Sequence, residues 1–194
     1  LTFTGQPAHT TAGAVFGVTV TVRDSLGNTA TSFTGVVGLA ITVGTGQAGA
    51  HLLGTPTAAA AAGVATFSGL APFEADCRAQ GLSVDSAGTG YTLTASASGT
   101  ASATSAAFDV ASGAISVARS VVAVSSGTVA SGGTVTLTLR AKDVFGNDLT
   151  ADGSVVSFTA SGGTSTGTIS PSPATDNAEG TYSAGFTGVL AGTA

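Results

Sequence analysis

The sequence predicts an all-β protein made of two antiparallel β-sandwiches in series, and three observations support this fold class. Apolar and polar residues alternate with a period of two, as in Val18-Thr-Val-Thr-Val22 and Val135-Thr-Leu-Thr-Leu139. This alternation places the apolar side chains on one face of a strand. Turn-forming residues separate such stretches, and 29 of the 194 residues are glycine. The third observation is that the second half of the chain repeats the motif order of the first half.

Short stretches rich in β-branched and aromatic residues give the order of the predicted strands. In the first half these are residues 18–22, 36–43, 64–67, 91–95 and 106–110. In the second half they are residues 120–124, 135–139, 155–159 and 181–186. The run from Ala58 to Ala62 has helix propensity. An isolated helix that short is not stable, so we predict an extended segment or a turn there.

The chain contains two copies of one sequence unit. Sliding the chain so that Arg23 falls on Lys142 aligns Asp24-Ser-Leu-Gly-Asn28 with Asp143-Val-Phe-Gly-Asn147. After a gap, Gly63-Val-Ala-Thr-Phe67 corresponds to Gly180-Thr-Tyr-Ser-Ala184. Self-similarity of this kind indicates repeated structural units. We therefore predict a first domain at residues 1–110, a short linker at residues 111–113 and a second domain at residues 114–194.

The second copy is predicted to lack its terminal strands. In the first copy, Ala87-Gly-Thr-Gly90 leads into the strands at residues 91–95 and 106–110, whereas Ala191-Gly-Thr-Ala194 takes the equivalent place in the second copy. An incomplete sandwich would leave sheet edges and its core open, which natural proteins avoid. Two interpretations follow: the 194 residues are an excerpt of a longer repetitive protein, or strands from a neighbouring subunit fill the gap.

The composition excludes several functional classes. Only five residues are basic and the net charge is −5, which argues against nucleic acid and anionic membranes as partners. No apolar run reaches the ~18–20 residues of a membrane-spanning helix, so membrane insertion is not expected. The single cysteine cannot form an internal disulfide or a thiolate metal cluster. We expect His9 and His51 to be exposed, and no catalytic or cofactor-binding motif is present.

The two Asp-x-x-Gly-Asn motifs are the most distinctive polar features. Asp24 and Asn28 bracket the first motif, and Asp143 and Asn147 bracket the second. An aspartate side chain accepts hydrogen bonds from the backbone two residues on, so each motif predicts a tight turn after a strand. Calcium binding is the alternative, because carboxylate and amide oxygens suit a hard cation. The apolar residue inside each motif and the absence of a closing glutamate argue against it, and we predict no metal and no cofactor.

Four residues are candidates for an interface with another protein. Phe73, Cys77 and Arg78 belong to a segment that holds the only cysteine, and Phe145 lies inside the second motif. Both phenylalanines occupy loop or turn positions, and exposed aromatic side chains are common at binding hot spots. Cys77 beside Arg78 is interpreted as a free thiol or a partner in an intermolecular disulfide. The alternative for the whole segment is a surface loop with no role.

The order of motifs resembles immunoglobulin-like repeats of bacterial surface proteins, of the invasin/intimin type and their filamin-like relatives. The resemblance implies two tandem immunoglobulin-like β-sandwiches in an extracellular or cell-surface protein, used as a stalk, spacer or adhesive module. It does not imply a particular ligand. In the first copy it rests on Gln6-Pro7, Thr11-Ala-Gly13, residues 18–28 and 63–67, and Ala87-Gly-Thr-Gly-Tyr-Thr-Leu93. In the second copy it rests on residues 125–129, 133–137, 142–147, 155–158 and 180–182.

Three functions follow, in order of preference. The first is a non-catalytic structural or adhesive segment of an extracellular bacterial surface protein. The second is a subunit of a self-assembling filament, in which strands of a neighbouring chain complete the second domain. The third is an accessory carbohydrate-binding module, which the absence of tryptophan disfavours. The expected partners are copies or neighbouring repeats of the same protein, or a surface protein or glycan target.

Overall fold

The computed structural model describes residues 1–68, 81–150 and 153–190, and in this part of the chain all regular structure is β-strand. The predicted all-β fold class is therefore confirmed. The chain divides into two compact units, Leu1–Ala111 and Ser112–Ala194. Each unit is described by itself below.

Among its described residues, the first unit contains twelve strands arranged in four small sheets. A three-stranded sheet has the order β1-β3-β7, a four-stranded sheet has the order β11-β10-β4-β6, a three-stranded sheet has the order β2-β12-β9, and β5 pairs with β8. All these pairs are antiparallel except β2 with β12. The strands are β1 (Thr2–Gly5), β2 (Thr10–Thr11), β3 (Val18–Thr21), β4 (Val36–Ile41), β5 (Leu52–Leu53), β6 (Thr57–Ala59), β7 (Val64–Phe67), β8 (Ser83–Val84), β9 (Gly88–Tyr91), β10 (Leu93–Ala97), β11 (Ala103–Thr104) and β12 (Phe108–Ala111).

One hydrophobic core joins the sheets of the first unit. Because side chains alternate along a strand, every second residue of the β1-β3-β7 sheet faces inward. These residues pack with their counterparts on β4, β10 and β12, which is the packing of a β-sandwich. The buried side chains are Phe3, Val18, Val20, Ala65 and Phe67 from the first sheet and Val37, Leu39, Leu93, Ala95, Phe108 and Val110 from the other strands.

The second unit contains one four-stranded antiparallel sheet among its described residues. The order is β13-β14-β16-β15, with β13 at Val121–Val124, β14 at Thr134–Arg140, β15 at Thr166–Asp176 and β16 at Thr181–Leu190. A small core at one end of the sheet contains Ala141, Leu149 and Tyr182, and Ile115 and Val156 are among the residues packed against it. The described residues of this unit thus form one sheet with a small core at one end.

The sheets of the two units share one pairing register. Phe3 pairs with Val20 in the first unit, and Val122 pairs with Leu139 at the equivalent place in the second. Likewise Val18 pairs with Phe67, and Leu137 pairs with Ala184. The sequence repeat is therefore also a repeat of hydrogen-bonded structure, in which β1, β3 and β7 correspond to β13, β14 and β16.

The predicted strand at residues 155–159 is wrong, because these residues form no strand. Their counterpart in the first unit is β4, which lies between β10 and β6 and pairs with both. The described residues of the second unit provide no counterpart of β10, so this ladder does not form. One backbone hydrogen bond, from Ala174 N–H to the Val156 carbonyl (2.8 Å), holds the segment, and Val155 is 82% exposed.

Other differences concern strands that the sequence did not predict. The sequence did not predict β15, which contains glycine, serine and two prolines. It also did not predict β1 or the two-residue strands. Thr57–Ala59 forms strand β6, and Ala62 adopts a φ of 48° before Gly63. The interpretation of this alanine run as an extended segment and a turn is therefore confirmed.

Candidate functional site: the two Asp-x-x-Gly-Asn turns

The first turn (residues 24–28) follows β3 and is closed by the Asp24 carboxylate. Asp24 Oδ1 accepts hydrogen bonds from the backbone N–H groups of Leu26 and Asn28, each at 2.9 Å. Its Oδ2 accepts from Asn28 Nδ2 at 3.2 Å. Gly27, with a φ of 86°, donates its N–H to the Asp24 carbonyl at 3.1 Å. The carboxylate therefore holds the turn through bonds to its own loop.

The second turn (residues 143–147) repeats this geometry and adds one bond. Asp143 Oδ1 accepts from the N–H groups of Phe145 and Asn147, each at 2.9 Å, and Oδ2 accepts from Asn147 Nδ2 at 2.8 Å. Oδ2 also accepts from the Gly113 N–H at 2.9 Å. The additional bond connects the turn to the start of the second unit, thirty residues earlier in the chain.

The two carboxylates differ in burial, and hydrogen bonding shifts both in the same direction. Asp143 is completely buried, whereas Asp24 is exposed. Burial alone would raise the pKa of Asp143, but hydrogen bonds from Asn147, Gly113 and Phe145 outweigh it and lower that pKa. Backbone and side-chain hydrogen bonds from Asn28 lower the pKa of Asp24. Both side chains are thus carboxylates at neutral pH, with their oxygens committed to N–H donors.

The carboxylate oxygens of both turns accept hydrogen bonds from N–H groups of the protein. A hard cation needs oxygen lone pairs directed at it, and N–H groups present positive hydrogens. Each oxygen of Asp24 and Asp143 already accepts at least one protein N–H bond. In the described part of the chain, no group of three or more His, Cys, Asp or Glu side chains could hold a metal ion. The geometry favours the turn interpretation of Asp24, Asn28, Asp143 and Asn147.

A three-residue ion-pair network lies beside the second turn and was not predicted. Asp148 Oδ1 lies 2.5 Å from Lys142 Nζ, and Asp148 Oδ2 lies 2.9 Å from Arg140 Nη2. Hydrogen bonds from Arg140 and Lys142 lower the pKa of Asp148. Lys142 also donates to the Gly146 carbonyl at 3.2 Å. In the first turn, Arg23 makes the equivalent bond to the Gly27 carbonyl at 2.6 Å. This shared contact explains why both repeats place a basic residue before the aspartate.

In each repeat, one glycine allows the neighbouring strand to approach the turn closely. Gly63 and Gly180 occupy equivalent positions and have φ values of 78° and 66°. A Cβ on Gly63 would lie 2.5 Å from the Ala30 carbonyl oxygen, and one on Gly180 would lie 2.1 Å from the Leu149 carbonyl oxygen. Only glycine allows this close approach and this backbone conformation without strain.

The candidate interface residues have different outcomes. Phe145 is 43% exposed at the tip of the second turn, where a partner would have access to it. Its equivalent in the first turn is Leu26, which is also an exposed apolar side chain. The interface prediction for Phe73, Cys77 and Arg78 lies outside the described residues.

Both histidines are exposed, as predicted, but each has a partner that sequence inspection missed. His51 Nδ1 lies 2.9 Å from Asp85 Oδ2, and the backbone N–H of His51 donates to Asp85 Oδ1. His9 Nδ1 accepts a hydrogen bond from the Asp109 N–H at 2.9 Å. Each pair joins residues far apart in sequence, so no local motif indicates it. In the first unit, the His51 imidazole connects two loops and the His9 imidazole connects a loop to strand β12.

A second surface is an apolar sheet face in the second unit, which we call the open face (Val122, Val124, Leu137, Ile169 and Phe186). Directly paired residues of antiparallel strands point to the same side of a sheet. The pairing of β13, β14, β16 and β15 therefore places these five side chains on one side. Val122 is 55% exposed, whereas its counterpart Phe3 in the first unit is 6% exposed. On this face Val122 and Val124 are exposed, whereas Leu137, Ile169 and Phe186 are half-buried. The open face is therefore exposed along its edge strand β13 and partly covered over β14, β15 and β16.

Some solved structures are similar to this chain. The chain is similar to the Escherichia coli adhesin FdeC, with 25% identity and a TM-score of 0.45, over 97% of this chain and 55% of that one. It thus spans about half the length of the FdeC structure.

Two further solved structures are similar to this chain. Invasin, a bacterial integrin-binding protein, shares 22% identity with a TM-score of 0.37, over 98% of this chain and 34% of that one. Domains 5–6 of the S-layer protein SbsC share 17% identity with a TM-score of 0.35, over 98% and 85% of the two chains. No protein-family model and no curated protein sequence match significantly. In the described residues, no helix is long and apolar enough to cross a membrane.

Proposed function

We propose that the chain is a non-catalytic stalk or spacer segment of an extracellular bacterial surface protein. The observation that carries this proposal is the repeat itself, in which both units share one sheet register and one turn geometry. Repeated units of this kind extend a protein by adding similar modules in series. The neighbouring repeats of the same protein are the first partners that this function requires.

The chemistry of the polar residues supports a structural role. The carboxylates with the clearest sequence motifs are Asp24 and Asp143, and their oxygens bind backbone and side-chain N–H groups of their own unit. Asp148 is paired with Arg140 and Lys142. These groups stabilise loops, so we propose that they perform no catalysis and bind no cofactor. The low content of charged residues, 8%, limits repulsion between adjacent copies.

Surface location can be tested on intact cells of the producing bacterium. Antibodies raised against the purified 194-residue chain should label unpermeabilised cells, and external protease should remove the label. A cytoplasmic protein from the same cells serves as the control for membrane integrity. Label that needs permeabilisation would contradict the proposal.

A replacement experiment separates a spacer from an adhesive segment. In the native protein, residues 1–194 are exchanged for an unrelated pair of immunoglobulin-like domains of the same length. A spacer contributes distance and not sequence, so binding of the cells to their target should be retained. A deletion of the same residues is the matched control and should reduce binding. Loss of binding after the exchange would show that these residues contact the target and would overturn the spacer function.

The open face favours a second candidate, a subunit of a self-assembling extracellular filament. In that arrangement strands of a neighbouring chain would cover Val122, Val124 and Leu137, because exposed apolar sheet faces associate. Sedimentation velocity over increasing protein concentration tests it. Growing oligomers would support a filament, and a monomer at all concentrations would contradict it.

A further inference from the structure

We propose that the free edge of β13 pairs with the β13 edge of a second copy of the chain, so that two copies form a symmetric dimer with one continuous sheet. The free edge is the side of Val121–Val124 that faces away from β14. The two strands would run antiparallel, and backbone N–H and C=O groups would make the contact, as in other cases of strand addition. This interaction surface goes beyond the surface location and the spacer role proposed above.

The backbone of β13 presents hydrogen-bonding groups on its free edge. Along an antiparallel strand, residues bonded to the neighbouring strand alternate with residues whose N–H and C=O groups point away from it. Ser125, directly after β13, donates its N–H to the Thr136 carbonyl at 2.9 Å. By this alternation the outward-pointing groups belong to Val122 and Val124. In the described part of the chain, β14 is the only strand that pairs with β13.

The two edges of this sheet differ in their protection against strand addition. Prolines and bulges protect an edge, because they remove N–H donors and interrupt the ladder. β15, at one edge, contains Pro171 and Pro173 and has a register shift between Ser170 and Thr175. β13, at the other edge, has a regular register, no proline and no charge, and all its residues are exposed. β13 is therefore the edge that another strand can join.

The free edge differs from the positions at which the other strands of the first unit close its sandwich. There β12 pairs with β2 and β9, β10 pairs with β4 and β11, and β1 stays at the edge of its sheet. β13 is the counterpart of β1, so its edge is expected to stay free even where further strands cover the face of the sheet. β1 itself has a register shift between Phe3 and Gly5, and such a bulge makes it a poorer template.

The groups on the free edge select one register for the dimer. Val122 pairs with Val124 of the second copy and Val124 pairs with its Val122, with two hydrogen bonds per pair and Ala123 on the two-fold axis. A register centred on Val122 would need Ser120, whose N–H already donates to a carbonyl of its own unit at 2.9 Å. A register centred on Val124 would need Ser126, which lies beyond the bend that ends β13.

The charge pattern favours a second copy as the partner. β13 contains no charged residue, and the nearest one in the sequence is Arg119. In the selected register, Arg119 lies opposite Gly127 of the second copy, so like charges do not meet. Val122 and Val124 face each other across the dimer, and cross-strand pairs of β-branched side chains stabilise a sheet. The edge is thus complementary to itself in both backbone and side chains.

Cysteine cross-linking tests the register. Cys77→Ser first removes the only native thiol, and Ala123→Cys then places two thiols at the two-fold axis. Facing residues of a non-hydrogen-bonded pair have Cα atoms about 4.5 Å apart, which allows a disulfide. Val121→Cys is the matched control on the same side of the same strand, where the two thiols would be separated by about 13 Å along the strand direction. With a mild oxidant, Ala123→Cys should give at least about tenfold more linked dimer than Val121→Cys. Equal cross-linking would overturn the proposal.

A proline variant tests the backbone hydrogen bonds. Val122→Pro removes an N–H that points away from β14, so the ladder within the unit is retained. Half of the bonds between the copies are lost, and the dissociation constant should rise about 10- to 100-fold. Val122→Thr keeps the N–H and the β-branched shape and should change the constant by less than about threefold. Hydrogen exchange of β14 and β16 checks that both variants are folded. Equal dimer formation by the two folded variants would contradict the proposal.

The oligomeric state separates this inference from the filament candidate. An interface between identical edges related by a two-fold axis is closed and does not grow. Under reducing conditions, the 194-residue chain should change from monomer to dimer in sedimentation velocity as its concentration rises, and no larger species should form. A monomer at every concentration, or growth beyond the dimer, would overturn the inference. The antibody experiment on cells is unaffected by either result, so failure of this inference and failure of the proposed surface function can be distinguished.

Discussion

The two units share a strand register and a turn, but they differ in what covers the sheet. In the first unit, the inner face of the β1-β3-β7 sheet is buried by β4, β10 and β12. In the second unit, the equivalent face at Val122 is exposed and the equivalent of β4 is not a strand. The shared features depend on residues within one sheet and its turns. The differing features concern the strands that cover this sheet in the first unit, so the register within one sheet forms without a covering sheet, whereas burial of the edge strand does not.

The largest expected effect is that of Gly180→Ala in the second unit. The new Cβ would lie 2.1 Å from the Leu149 carbonyl oxygen at a φ of 66°, so the backbone must shift. We expect a loss of about 3 kcal/mol in the free energy of unfolding. The second unit has the smaller buried core, so it should unfold while the first unit stays folded. Hydrogen exchange of β14 and β16 against β3 and β7 measures this.

Two glycine variants serve as controls for that result. Gly63→Ala makes the equivalent change in the first unit, where the contact would be 2.5 Å, and should destabilise that unit only. Gly146→Ala places a Cβ in open space at a φ of 91°, so only the backbone conformation is unfavourable. It should cost about 1 kcal/mol. Equal effects of Gly146→Ala and Gly180→Ala would show that the contact with Leu149 is unimportant.

The next largest effect concerns Asp143, which is buried, whereas its equivalent Asp24 is exposed. Asp143→Ala removes the acceptor for four N–H donors in a buried site, including the Gly113 N–H. Buried donors without partners are costly, and we expect a loss of about 2–3 kcal/mol. Asp24→Ala makes the same change in an exposed turn, where water replaces the lost bonds, so its effect should be clearly smaller. Urea denaturation of both variants checks the order, and a larger effect at Asp24 would contradict it.

These turns also show which features the sequence predicts and which it does not. The hydrogen bonds that Asp143 accepts from Phe145 and Asn147 lie within five residues, so the motif predicts them directly. The bond from Gly113 joins residues thirty positions apart, and no local pattern indicates it. The wrong strand at residues 155–159 has the same cause, because strand composition is local while the pairing partner is not.

The acid dependence of stability should reflect the shifted carboxylates. The pKa values of Asp143 and Asp148 are lowered in the folded protein from an ordinary 3.8. Their contribution to stability is therefore fully present above about pH 4–5 and is lost as the pH falls through the folded-state values. Thermal unfolding of the second unit between pH 6 and pH 2 should show this loss, and Asp143→Asn should flatten the curve below pH 4. If the melting temperature of the variant falls with pH as steeply as that of the unchanged protein, Asp143 does not contribute to the pH dependence of stability.

The smallest expected effect is that of calcium, and it compares the two turns directly. In both turns the carboxylate oxygens accept N–H bonds, so a cation would have to displace donors from Asp24 or Asp143. We therefore expect unchanged melting temperatures of both units with millimolar calcium or with a chelator. Asp24→Asn is the sensitive control, because Asp24 is exposed and a weakly bound ion would reach it most easily. A calcium-dependent increase in melting temperature that Asp24→Asn abolishes would identify a cation site at the first turn. An increase that only Asp143→Asn abolishes would place it at the buried turn instead, where binding requires release of the Gly113 N–H.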